Sequence, residues 1–355
     1  MSNAVDKFLA KPSEWIRIRG PLSDVVISSR IRLARNLAGY SFLEKLDAHR
    51  QKEITDKLQG AFLRVDPLKG SDYIRYREIS ELDRQFLLER HLISREHAAE
   101  KGNQAVAVTA DEMISIMILE EDHLRQQTFQ PGFNLVEAWR ILNQVDTEIE
   151  KQVEFSFTPG LGYLTACPTN VGTGLRASCM LHLPGLVLTR QIQKVLQALG
   201  KLNLAVRGLY GEGTQATGNF FQFSNQITLG QTEEEIIDNL ECVIRQVVEH
   251  EKNARQFMRE EKKLRFEDQI WRALGALKTA RMISSQEATG QLSLVMLGVE
   301  LGFLGEGVTL QDLNTLFLQI QPAHLQKSAL KILDSTERDV ARASLIRAQL
   351  NKVII

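Results

Sequence analysis

The sequence predicts an α/β region followed by an all-helical one. Three observations carry that expectation. Strand-like and helix-like segments alternate through the first two-thirds of the 355 residues. From Thr232 onward apolar residues keep helical spacing alone. A charged stretch, REEKKLRFED at 259–268, follows the first long helix, which places a boundary near residue 258 and gives domains 1–258 and 259–355.

In chain order, Asp24–Leu33 (DVVISSRIRL) is apolar and β-branched and reads as a strand. Ala48–Leu63 is a helix with Ile54, Leu58 and Phe62 on one face, and Glu81–His91 is a second. Ala105–Glu120 reads as a hairpin turning near Ala110-Asp111-Glu112, with a buried second strand. Phe133–Ile149 is helical, Leu161–Ala166 a short strand and Leu188–Leu199 helical. Leu204–Arg207 and Phe220–Leu229 are further strands. Beyond them Ile236, Ile237, Leu240, Val243, Ile244 and Val247 mark a long helix, and Gly290, Gly298, Gly302 and Gly305 punctuate the helical remainder.

Basic residues number 43 and acidic ones 44, so no overall field recruits nucleic acid or a membrane surface. The three cysteines, Cys167, Cys179 and Cys242, form no CxxC pair, and a structural metal site is not expected. The N-terminus lacks the apolar core of a signal peptide, and the expected location is the cytoplasm. Neither GxxxxGK[ST] nor HRD and DFG occurs, which excludes P-loop enzymes and typical protein kinases.

Five arginines stand where strands give way to loops. Arg30 and Arg32 are two apart and share a strand face. Arg125 follows the buried strand, Arg176 lies in CPTNVGTGLRAS, and Arg207 ends a strand. Guanidinium forks bind phosphate oxygens in bidentate fashion, and phosphoryl transfer needs fixed positive charge around the moving group. Gly172 and Gly174 either bring backbone amides toward a phosphate or form an ordinary turn. The acids Glu120, Glu121 and Asp122 end the buried strand, and alternation puts Glu121 on the Arg125 face and Asp122 on the other. With Glu212 in GLYGEGTQ, two glutamates from separate segments suit a planar guanidinium whose proton a carboxylate must accept. Asp122 is placed to reach Mg²⁺ through water.

These segments resemble the phosphagen (guanidino) kinases in four motifs: SSRIRLARN at 28–36, EEDHLR at 120–125, CPTNVGTGLRAS at 167–178 and VRGLYGEG at 206–213. The resemblance implies a mainly antiparallel sheet flanked by helices. It also implies ATP phosphates held by Arg30, Arg32, Arg125, Arg176 and Arg207, with Ser28 and Ser29 of the first motif beside them and His91 against the adenine. Glu121 and Glu212 would hold and activate the guanidinium, and Cys167 looks like the family's active-site cysteine. One residue departs: the position before EED is usually asparagine in the family and is Leu119 here.

Two features narrow the resemblance to the bacterial protein arginine kinases. Only 27 residues precede Ser28, too few for the helical domain that closes over a free guanidino compound, and a helical region follows residue 258. Along the whole chain the likeness includes HLIS at 91–94 and ERDVARA at 337–343. It implies a phosphoarginine pocket using Arg338, Asp339 and Arg342, a homodimer, protein substrates with accessible arginines, an activator (McsA), the repressor CtsR, and delivery to ClpC–ClpP in the stress response. The expected reaction moves the γ-phosphate of ATP, with Mg²⁺, to protein arginine. A kinase for free guanidino compounds and a phosphoarginine-binding adaptor are the alternatives.

Overall fold

The computed structural model describes residues 5–18, 20–100, 102–200, 203–208, 217–305 and 307–351. In chain order the elements are β1 (Val26–Arg35), α1 (Ala48–Phe62), β2 (Asp72–Arg75), α2 (Glu81–Glu89), α3 (Arg95–Ala99), β3 (Ala105–Val108), β4 (Ile114–Ile118), β5 (Leu124–Pro131) and α4 (Leu135–Glu150). The short pair β6 (Phe157–Thr158) and β7 (Gly162–Tyr163) follows, then β8 (Leu175–His182), α5 (Pro184–Leu188), α6 (Ile192–Gly200), β9 (Leu204–Gly208) and β10 (Phe220–Asn225). The chain then runs through α7 (Glu233–Glu260), α8 (Lys263–Thr279), α9 (Ser285–Leu301), α10 (Leu310–Gln319), α11 (Pro322–Ala329) and α12 (Ser335–Leu350). Eight strands form one sheet in the order β2-β3-β4-β5-β1-β8-β10-β9, flanked by helices, and β6 with β7 forms a second. The pairings β1–β5, β2–β3, β3–β4 and β4–β5 are antiparallel.

Two units divide the chain. Met1–Trp15, Ser28–Cys179 and Ser224–Glu241 make the first; Ile16–Ile27, Met180–Phe223 and Cys242–Ile355 make the second. In the first, register decides what each face of the sheet carries. Arg30 lies opposite Phe129, Arg32 opposite Gln127 and Ala34 opposite Arg125. On the next strand Ser115 opposes Gln127 and Met117 opposes Arg125. Directly opposed residues share a face, so one face gathers Arg30, Arg32, Arg125, Gln127 and Phe129. The other face carries Ile114, Ile116, Ile118 and Leu124, packed against Ile54, Leu58, Ala61 and Phe62 of α1 and Val145 and Ile149 of α4. Arg35 is on that buried face. Its Nη2 meets Asp146 Oδ2 at 2.8 Å, its Nη1 donates to the Ala34 and Thr173 carbonyls, and its guanidinium lies 3.5 Å from the Tyr163 ring centre. Thus the alternation in SSRIRLAR sends Arg30 and Arg32 one way and Arg35 the other.

In the second unit, Glu251 of α7 accepts the Gly185 and Leu186 amides of α5 at 2.9 Å each, and Arg255 Nε at 2.7 Å. Arg255 also donates to the carbonyls of Asp24 and His182. Gly298 lies within α9, where an added Cβ would collide with Ile270 of α8 and come within 2.9 Å of Leu304. The glycine therefore sets how closely α8 and α9 approach. Gly298→Ala is expected to destabilise the protein by about 1–3 kcal/mol through overpacking, read as a lower urea midpoint.

Three strand expectations are corrected. Within Leu161–Ala166 only Gly162 and Tyr163 pair, because the Ala166 amide is drawn to Asp122 (2.6 Å) and the Thr165 hydroxyl donates to the Cys167 carbonyl. The Phe220–Leu229 strand stops at Asn225, whose side chain accepts from the Ala177 amide and donates to the Leu175 and Ile227 carbonyls. The acidic triplet does not continue a strand: β4 ends at Ile118, and residues 119–123 form a turn. Leu119 has φ 60°, the Leu119 amide donates to the His123 carbonyl (3.0 Å), and the Glu120 amide donates to that of Asp122 (3.1 Å). Strand alternation therefore does not assign faces to Glu120, Glu121 and Asp122. The helix expected over Glu81–His91 stops at Glu89.

Candidate active site

Four of the five singled-out arginines converge in the first unit: Arg30 and Arg32 from β1, Arg125 from β5 and Arg176 from β8. Their mutual repulsion marks the convergence. Burial, then Arg125 and Arg176, brings Arg30 down to about 9. Burial, then Arg30, Arg125 and Arg176, holds Arg32 well below the usual arginine range. The buried Nε of Arg32 has no hydrogen-bond partner. Arg30 is steadied by Ser178 Oγ at 3.4 Å and by the Phe129 ring at 5.5 Å. Arg125 differs, since its Nη1 meets Glu120 Oε1 at 2.5 Å and this pairing outweighs burial to keep it above its ordinary value. Concentrated cations with one close carboxylate form a site for a polyanion.

The β4–β5 turn sorts its three acids. Glu120 is buried, bound to Arg125, to Ser94 Oγ (2.6 Å) and to the Glu121 amide (2.9 Å). Asp122 is also buried, and its Oδ1 accepts Asn36 Nδ2 and the Ala166 amide at 2.6 Å each. Only Glu121 is exposed. The carboxyl is raised above its ordinary value by partial burial, then by the charges of Asp122 and Glu120. The three acids line one cleft together with Arg32, Arg125, Asn170, Gly174 and Arg176. A carboxylate with raised proton affinity, beside gathered guanidiniums, is suited to take a proton from a cation presented to bound phosphate.

An aromatic group adjoins the arginines. Trp15 meets His91 edge-on at 5.3 Å and stacks on Phe129 at 5.4 Å. His91 follows α2 at φ 60°, and Gln127 Nε2 donates to its carbonyl at 2.9 Å. Burial, then Arg30 and Arg95, brings its imidazole down to about 3. Ser29 is committed elsewhere: its hydroxyl donates to the Gly132 carbonyl and accepts the Asn134 amide, both at 2.9 Å. Ser28 is buried on β1.

Gly172 and Gly174 serve chain packing. At Gly172 (φ 111°) a Cβ would meet the Thr228 carbonyl oxygen at 2.5 Å, and at Gly174 (φ 65°) Arg35 Nη1 at 2.6 Å. Arg207 is exposed on β9 in the second unit, and Glu212 lies outside the described residues. In the C-terminal motif, Arg338 Nη1 donates to the Leu333 carbonyl (2.8 Å). Arg342 is buried; it donates to the Ile320 (2.9 Å) and Ile283 (2.8 Å) carbonyls and meets Asp339 at 2.5 Å. Arg342 therefore ties three segments of the second unit together.

Sequence reasoning missed Glu120 as the partner of Arg125, and Trp15 and Phe129 beside His91. Glu120 stood in the acidic motif, but only the turn shows which acid faces inward. Nothing in the local sequence around Trp15 signals its placement.

The buried histidines set an acid limit. His91 sits at about 3, and burial brings His97, bonded to Tyr76 Oη at 2.6 Å, to about 4. An unfolded histidine titrates near 6.5. The unfolded chain therefore binds more protons below that pH, so this stability is present above about 6.5 and is lost as pH falls toward 4 and 3. Urea midpoints are expected to fall in that window at up to about 1.4 kcal/mol per pH unit per histidine, and His97→Gln should flatten the slope.

The chain is similar to known proteins along nearly its whole length. Residues 53–254 match the ATP:guanido phosphotransferase C-terminal catalytic domain, and residues 263–354 the protein-arginine kinase McsB C-terminal domain. The protein-arginine kinase of Moorella thermoacetica is 49% identical over 348 residues, covering 96% of this chain and 98% of the relative. That of Symbiobacterium thermophilum is 48% identical, covering 96% and 97%, and that of Bacillus cereus 44%, covering 98% of both. Among solved structures, a duplicated taurocyamine kinase from Schistosoma mansoni with bound transition-state analogue components superposes with TM-score 0.61 at 20% identity, over 82% of this chain and 49% of that one. Lombricine kinase does so with TM-score 0.57 at 24% identity, over 71% of each. The chain spans about half the length of the duplicated kinase. No described helix is long and apolar enough to cross a membrane. Both family matches and the near-full-length likeness to protein-arginine kinases show that the chain belongs to the protein-arginine kinases, a branch of the ATP:guanido phosphotransferases.

Proposed function

We propose that the protein transfers the γ-phosphate of ATP to the guanidinium of arginines in other proteins, giving ADP and protein phosphoarginine. The observation that carries the reading is the arrangement of Arg30, Arg32 and Arg125 on one sheet face, with Arg176 close enough to repel Arg30 and Arg32, and Glu121 lining one cleft with Arg32, Arg125 and Arg176. In this reading the arginines hold the phosphates, Arg207 adds to them, and His91, neutral at pH 7, receives the base. Glu121, with Glu212, orients the acceptor and takes its proton as the N–P bond forms. Cys167, next to Ala166 whose amide Asp122 binds, stands beside the guanidinium in this reading. Asp122 pins the Cys167 loop to the turn.

Among the described residues no cluster of three His, Cys, Asp or Glu side chains is arranged to hold a metal ion. Mg²⁺ fits as an ion carried by nucleotide phosphates and water, with Glu121 or Asp122 reached through water. It would neutralise phosphate charge; alignment and the remaining electrostatics belong to the chain.

The domain division at 258 has support in the two family matches, which end at 254 and resume at 263. In this reading the helical part binds phosphoarginine near Arg338 and Asp339. Because Arg342 is spent on carbonyls and Asp339, it shapes that pocket rather than facing it. A homodimer, an activating McsA, CtsR as substrate, delivery to ClpC–ClpP in the stress response and a cytoplasmic location complete the proposal. The deciding experiment incubates an arginine-rich protein and, separately, free arginine with ATP and Mg²⁺. Mass spectrometry that preserves the acid-labile P–N bond is expected to find phosphoarginine on the protein. Label on free arginine alone would overturn the reading.

A further inference from the structure

The N-terminal segment of the first unit is fastened to the turn that carries His91. Arg90 Nη2 donates to the Lys11 carbonyl at 3.0 Å, and the Ser13 hydroxyl donates to Glu112 Oε2 at 2.8 Å. The same Glu112 oxygen takes Arg90 Nε at 2.7 Å. Ser13, Arg90 and Glu112 are all buried, and Arg90 immediately precedes His91. Two residues beyond this anchor stands Trp15, also buried. Its indole meets two rings at once, His91 edge-on with centroids at 5.3 Å and Phe129 stacked at 5.4 Å. The Arg30 guanidinium lies 5.5 Å from the Phe129 ring centre, and its charge is felt at His91. Trp15, His91, Phe129 and Arg30 thus close one corner of the arginine cluster. The buried indole N–H has no hydrogen-bond partner among the described residues. An unmade buried donor is a cost, so hydrogen bonding does not account for an indole at this place; the breadth that lets it reach both rings does.

We infer that Trp15 is a positioning residue of the nucleotide site, holding the His91 ring in the attitude that receives the base. The inference rests on the reading above that His91 meets the base, and Trp15 stands outside the 53–254 catalytic-domain match. The argument lies in what fixes a histidine ring. Gln127 Nε2 holds the His91 carbonyl at 2.9 Å and so steadies the backbone. The outer torsion of a histidine has broad, shallow wells, so the attitude of the ring is set by what packs against it. An edge-to-face aromatic contact is directional and supplies that constraint. Phe129 backs the indole from the sheet, and the Lys11 and Ser13 bonds keep the segment from drifting. A ring ordered before its ligand arrives spares the ordering cost on binding, and the saving appears as affinity.

The test measures binding calorimetrically with two probes, ADP and inorganic pyrophosphate, which differ in the nucleoside. Trp15→Leu keeps an apolar side chain and loses both ring contacts. Its Kd for ADP is expected to rise about tenfold, the scale of one good aromatic pair, while that for pyrophosphate stays within about twofold. Trp15→Phe, which keeps a narrower ring, should fall between wild type and Trp15→Leu. Adding Trp15→Leu to His91→Ala should weaken ADP no further, because the group through which Trp15 acts is already gone. Equal losses on both probes would make Trp15 a support of the whole corner, and additive effects would make it act apart from His91; either result overturns the inference. Ser13→Ala covers the case in which the buried Trp15→Leu change unfolds the protein. It frees the segment from Glu112 and leaves the rings in place, and is expected to weaken ADP about threefold with pyrophosphate unaltered; unchanged ADP affinity overturns the inference equally. A wild type that binds ADP no more tightly than pyrophosphate has no base site, which overturns the reading of His91 and the inference together. A wild type that prefers ADP, with Trp15→Leu binding it as well, overturns the inference alone.

Discussion

Glu121→Gln is expected to slow phosphoryl transfer by about 10²–10⁴-fold, the contribution typical of a positioned general base, while nucleotide affinity stays within a few-fold. The split follows from the turn. Glu120 holds Arg125 and Asp122 holds Asn36 and Ala166, so Glu121 is the acid of the three left facing outward. Glutamine keeps size and polarity but cannot accept the proton. The raised carboxyl sharpens the test. Its causes are burial, then Asp122, then Glu120. Removing the Asp122 charge as Asp122→Asn, which retains an acceptor for the Ala166 amide, should move the acid limb of kcat/KM toward lower pH. Single-turnover transfer and nucleotide titration of each variant give both readouts. A Glu121→Gln protein with normal transfer would move the base elsewhere.

Much of this site was legible in the sequence, for a definite reason. Arg30, Arg32 and Arg35 lie on one strand whose alternation is strict, so two-residue spacing alone assigns Arg30 and Arg32 a common face. The hairpin at 105–120 was equally plain, because Ala105–Val108 and Ile114–Ile118 are apolar runs separated by a polar turn. Residues 119–123 were not legible, since a leucine at φ 60° is a conformation its type rarely adopts. Asparagine, which the resemblance leads one to expect there, enters that region more easily. Leu119 is instead fully buried in the α1–α4 core, so apolar burial offsets the backbone cost. Arg342 was not legible either: the resemblance implied a phosphoarginine pocket using Arg338, Asp339 and Arg342, and nothing in the sequence says that the Ile320 and Ile283 carbonyls await Arg342.

Arg32→Met is expected to raise the thermal midpoint of the nucleotide-free protein while lowering transfer by about 10³-fold or more, the scale on which an arginine acts at a transferring phosphoryl group. The opposite signs come from one cause. Arg32 is held among Arg30, Arg125 and Arg176, its proton affinity falls well below the arginine norm, and its Nε has no hydrogen-bond partner. A flexible apolar side chain of similar length fills the space without the repulsion or the orphaned donor. A gain of about 1 kcal/mol corresponds to a rise of roughly 1–2 °C, because the unfolding entropy scales with chain length. Bound triphosphate reverses the balance, because its oxygens neutralise the cluster and stabilise the wild type according to ligand concentration over Kd. The difference in midpoint between wild type and variant should therefore shrink and then change sign as ATP is titrated in. Scanning calorimetry across that titration decides the matter: a variant less stable than wild type without nucleotide would mean that Arg32 supports the fold, and strain held for anion binding would be the wrong account of the cluster.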